Sequence, residues 1–73
     1  MLHTAYLIES KEDRDLSDLL VVEDASQAVV LLIPGVSDTF SANDYLESHG
    51  WHLPNPWWEY ADNQLTVAVE RIS

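Results

Sequence analysis

Seventy-three residues are enough for one domain, 1–73, and none of them is cysteine, so neither disulfides nor thiolate metal sites can reinforce so short a chain. Thirteen acids against three bases (Lys11, Arg14 and Arg71) give a formal net charge of −10, which argues against direct binding to nucleic acid or to an anionic membrane, since both require a positive footprint. The 47% hydrophobic content argues against a disordered acidic tail, which would be poor in aromatic and branched residues.

Residues 3–9 read as a first strand, because Thr4, Tyr6 and Ile8 alternate with Ala5 and Leu7 and β-formers dominate. Residues 10–17 form a charged connection, and Asp is a poor helix former, so Lys11-Glu12-Asp13-Arg14-Asp15 is read as loop. Residues 19–23, Leu-Leu-Val-Val-Glu, are a second strand. Two readings then compete. Asp24 caps a helix over residues 25–33, with Gln27 where a capping box needs it and Pro34-Gly35 as the stop. Alternatively residues 24–27 are a turn and residues 28–33 a third strand. The run Val29-Val30-Leu31-Leu32-Ile33 is apolar on every side, so periodicity does not decide between them. As a strand it belongs in the middle of a sheet, covered on both faces, with a second copy of the protein as one possible cover.

Residues 34–39 are expected to be loop. Ser41 is the expected N-cap of a helix over residues 42–49, and Gly50 suits the left-handed position after its end. Asp44 in the first turn and His49 in the last have the right signs for the helix dipole. Phe40, Tyr45, Leu46 and His49 form its expected inward side. Residues 51–56 are a connector stiffened by Pro54 and Pro56. Residues 57–61 and 65–72 then make a hairpin, with Asp62 and Asn63 as the two-residue turn. That turn sets Tyr60 against Leu65, Glu59 against Thr66, Trp58 against Val67 and Trp57 against Ala68. Trp58, Tyr60, Leu65, Val67 and Val69 then share the core face, and Trp57, Glu59, Thr66, Ala68 and Glu70 share the outer one. The expected class is α+β: a small antiparallel sheet of four to five strands packed by one or two short helices.

No chemistry-bearing motif stands out. His49 and His52 are three apart, but Gly50 ends the helix between them, so no metal is expected. With two glycines and no nucleophile–base arrangement, neither a phosphate-cradling loop nor a catalytic centre is expected, nor any cofactor. No apolar run approaches the roughly 20 residues of a membrane span. The start lacks a signal peptide's basic and apolar segments, so a cytoplasmic protein is the expectation.

The acids carry the functional reading. Seven lie between Glu9 and Asp24, three on the loop and helix, and three on the hairpin. Carboxylates two apart on a strand are roughly 6.6 Å apart along it, a spacing that resembles that of successive phosphates on one DNA strand. Trp57 beside Glu59 and Glu70 joins aromatic area to negative charge, a pairing suited to arginine. The expected partner-binding residues are Glu12, Asp13, Asp15, Asp18, Glu23, Asp24, Trp57, Glu59 and Glu70.

The opening Thr4-Ala5-Tyr6-Leu7-Ile8-Glu9, followed by an acidic loop and a small α+β body, resembles the phage-encoded inhibitors of host defence that include the type I anti-CRISPR proteins. Members of that group are often acidic, cysteine-free single domains of this size, and several act as DNA mimics on the effector complex. The resemblance covers the chain in character and carries no residue over by position. It implies a non-enzymatic inhibitor of a basic host protein or protein–nucleic-acid complex, acting as monomer or homodimer in the host cytoplasm. Antitoxins, immunity proteins and small assembly subunits share the same character, which leaves a protein–protein interaction module as the alternative.

Overall fold

Short connections between apolar runs lay successive strands side by side. The computed structural model describes residues 2–12, 14–61 and 64–72. It contains β1 (His3–Glu9), β2 (Ser17–Glu23), β3 (Val29–Val36), α1 (Thr39–Ser48), β4 (Trp51–His52), β5 (Glu59–Ala61) and β6 (Gln64–Arg71). The antiparallel sheet runs β3-β2-β1-β6-β4, and β5 also pairs with β6. The class is therefore a mostly-sheet α+β domain, with one short helix among the described residues. No helix among them is long and apolar enough to cross a membrane.

The 24–33 fork resolves as turn plus strand. Gln27 does approach Asp24, donating from Nε2 to its carbonyl at 2.8 Å, but its φ of 59° cannot continue a right-handed helix. The Glu23 N–H donates to the Ala28 carbonyl at 2.9 Å and closes the turn. The strand extends to Val36, so the first half of the expected loop at residues 34–39 is β3. The expectation of a central position is overturned, because β3 is an edge strand. Two successive hairpins step outward from β1, and β6 takes the other side of β1. Chain order, rather than hydrophobicity, decides which strand is central.

One face of the sheet is the core. Ala5 stands between Val21 and Val67 in register, and Leu7 between Leu19 and Leu65. Val36, Ala42, Leu46, Trp51, Leu53 and Val69 complete the buried cluster. The helix starts earlier than expected. Its N-cap is Asp38, whose Oδ1 accepts the Ser41 N–H at 2.7 Å, so Ser41 lies inside the first turn. With the start shifted, Ala42 and Leu46 face the sheet, one helical turn apart. Of the expected inward side only Leu46 is buried; Phe40 is 79% exposed. Asp44 no longer lies in the first turn, and His49 is the C-cap, its Nδ1 donating to the Tyr45 carbonyl at 2.7 Å. Gly50 takes the left-handed position, φ 85°, as expected. Asp38→Ala is expected to cost about 1 kcal/mol and Ser41→Ala much less, read as shifts in urea midpoint.

β4 and β5 share one edge of β6. Trp51 pairs with Arg71, His52 with Glu70, Glu59 with Thr66 and Tyr60 with Leu65. Between the two pieces, residues 53–58 run beside residues 67–69, so the edge strand is split by a loop longer than the ladder can hold. Pro54 and Pro56 lie in that loop and cannot donate to a ladder. The hairpin register is as expected for Glu59 and Tyr60, but Trp57 and Trp58 precede the strand. The turn residues Asp62 and Asn63 lie outside the described residues. Tyr60 is not core: it is 71% exposed, because the helix packs over the β4 end of this edge.

Candidate functional site: the open face of the sheet

Strand parity sends Thr4, Tyr6 and Ile8 away from the helix, with Asp18, Leu20 and Val22 beside them on β2. Leu32 continues the row of Leu20, and Val29 that of Val22. On the other flank Thr66 stands opposite Tyr6 and Ala68 opposite Thr4. The uncovered face of an antiparallel sheet usually turns polar residues to water. Here Tyr6, Leu20 and Val22 are half-buried in the middle, while Val29 is 53% and Leu32 58% exposed. The centre of the face is apolar.

Acids flank that centre at the two ends of β2 and along β5 and β6. Asp18 is opposite Ile8. Asp24 accepts a hydrogen bond from the Thr4 hydroxyl at 2.7 Å, which holds its carboxylate beside the face. Glu59 is opposite Thr66, and Glu70 has the parity of Thr66 and Ala68. The split edge strand delivers Trp57 to the same side. Trp57, 80% exposed, lines a hollow with Thr4, Asn55, Glu59, Thr66 and Ala68. Trp58 turns the opposite way, and its Nε1 donates to Asn43 Oδ1 on the helix at 2.8 Å. This hydrogen bond and the prolines together separate two adjacent tryptophans onto opposite sides of the sheet.

The structure thus gathers Asp18, Asp24, Trp57, Glu59 and Glu70 around one face. Glu12 and Asp15 lie exposed on the loop between β1 and β2, and Glu12 shares a hollow with Ile8 and Asp18. Glu23 is opposite His3, with the parity of the helix side, and does not join the group. Asp13 lies outside the described residues. Among the bases, Lys11 shares the hollow of Glu12 and Asp18. The Arg71 guanidinium lies over the buried Trp51 ring, 5.1 Å from its centroid. No three His, Cys, Asp or Glu side chains converge as metal donors among the described residues.

Sequence reasoning missed the apolar centre. Its signal was present in Leu19-Leu20-Val21-Val22, apolar at both parities, so half of that strand must point away from the core.

No protein family model, curated protein or solved structure matches the chain.

Proposed function

We propose that the protein is a non-enzymatic inhibitor that meets a basic nucleic-acid-binding surface of a host protein or protein–nucleic-acid complex, as an acidic DNA mimic of the anti-CRISPR kind. The observation that carries this reading is the open face, with Asp18, Asp24, Glu59, Glu70 and Trp57 around an apolar centre. The net charge of −10 raises the rate of encounter with a basic surface. Exposed ion pairs at the rim are each worth only about 0.2–1 kcal/mol, so they align the partner more than they hold it. Burial of Tyr6, Leu20, Val22 and Leu32 supplies a term that DNA lacks. Trp57 offers a ring for an arginine guanidinium. Inhibition then needs no chemistry, because occupying the surface excludes the nucleic acid. The expected site of action is the host cytoplasm.

Capture from host lysate at about 0.05 M and about 0.5 M salt tests this, since the screening length shortens from about 14 Å to about 4 Å over that range. The expected result is a basic protein or complex retained at low salt, released at high salt and displaced by duplex DNA. A captured protein with no affinity for nucleic acid would overturn the reading.

A second reading, an interaction module such as an antitoxin, immunity protein or assembly subunit, is favoured by the exposure of Val29 and Leu32. Under it, capture persists at high salt.

A further inference from the structure

The longest stretch without a charged residue runs from 25 to 37, thirteen residues in a chain where sixteen are charged. That stretch is the β2–β3 turn and all of β3. It forms one edge of the sheet, where Val29, Val30 and Leu32 are exposed. Edge strands are ordinarily blunted by charge, proline or a bulge. β3 has no charge. It has Pro34 near its end, and Val30 is a bulged residue, since Val21 pairs with Leu31 and Val22 with Val29. These features limit how far a second strand can be added to residues 29–33 but leave that segment apolar and open.

We propose that a second copy of this chain docks at the β3 edge, antiparallel across a twofold axis, bringing the two sets of Val29, Val30 and Leu32 together. Electrostatics selects the occupant. Two copies at −10 repel wherever their acids meet, and the neutral 25–37 stretch is where they can approach without that cost. A basic partner has the opposite preference: it is drawn to the acids and finds no counter-charge at β3. A twofold contact is self-complementary, so one apolar strand serves both sides. This contact shares Leu32 with the partner reading above but responds to salt in the opposite sense, because screening weakens the mutual repulsion of the copies.

Sedimentation velocity from about 10 µM to about 1 mM protein, at about 0.05 M and about 0.5 M salt, tests it. The mass is expected to rise from one chain's 8.3 kDa toward twice that with concentration, and to do so more readily at high salt. Leu32→Lys and Val29→Lys are each expected to weaken association at least about tenfold, by placing like charges together at the twofold. Both variants lower the net negative charge, so their effect cannot be assigned to general repulsion. Amide exchange along β3 in the unaltered protein, slowing as concentration rises, reports the same contact without any variant. A monomer at the highest concentration and salt overturns the proposal. So does an association that leaves β3 exchange unchanged, or one that both lysine variants retain.

Discussion

Asp18→Lys with Glu59→Lys is expected to weaken capture of the basic partner by about 30-fold, whereas Asp44→Lys with Glu47→Lys weakens it only a few-fold. Each pair changes the formal net charge equally, from −10 to −6. The first pair belongs to the open face: Asp18 is opposite Ile8 and Glu59 opposite Thr66. The second pair is exposed on α1, across the sheet from that face. Long-range steering depends on total charge and falls alike in both variants. Contact at the interface is lost only in the first, because each reversal replaces an ion pair with repulsion. Titration calorimetry or surface plasmon resonance at low salt reads the difference, with association and dissociation rates separated. Equal losses in the two variants would mean that charge alone is recognised and that the face has no special part. Trp57→Ala, with charge unaltered, is expected to raise the dissociation rate about tenfold.

Leu46→Ala is expected to remove about 3 kcal/mol of stability, a large share of the roughly 4–11 kcal/mol available to a chain of this length. Leu46 is fully buried, and with Ala42 it makes up the buried side of α1. Truncation leaves a cavity that one short helix cannot collapse to fill. Phe40→Ala, on the same helix but exposed, is expected to change stability by less than about 0.5 kcal/mol. Urea melts with equal slopes would give both values. A larger loss from Phe40→Ala would mean that the helix packs by another side. Because Leu46 lies across the sheet from the open face, partner affinity measured well below the transition should not change in Leu46→Ala.

What could be read in advance divides along physical lines. β1, the hairpin register at Glu59 and Tyr60, and the glycine after the helix were legible, because alternation, turn length and left-handed backbone are local properties. The start of α1 was not. Asp38 and Ser41 are both good caps three residues apart, and only packing of Ala42 and Leu46 chooses between them. The place of β3 was misjudged for a similar reason: an all-apolar strand favours burial, yet the number of strands on either side of β1 is a matter of topology. On the open face, Glu59 and Glu70 were grouped correctly by parity, whereas Trp57 reaches the same side from the loop before β5 rather than as part of the strand. Joining Asp18 and Asp24 to them required the pairing of β1 with both β2 and β6, a long-range fact. The apolar centre went unseen because each of its residues, taken singly, resembles core.

The split strand of residues 51–61 has a consequence for how far assembly can go. A sheet with two receptive sides can add copies without limit and grow into a filament. Here one side of the sheet is already occupied by two short pieces and the proline-bearing loop between them, so the other side alone can accept a neighbour. Once two β3 strands meet, neither copy has a second receptive side to offer, and growth stops at a pair. In a pair built on the proposed β3 contact, Pro54 and Pro56 would thus limit growth at a distance from the contact itself, by leaving the far edge of the sheet short and interrupted.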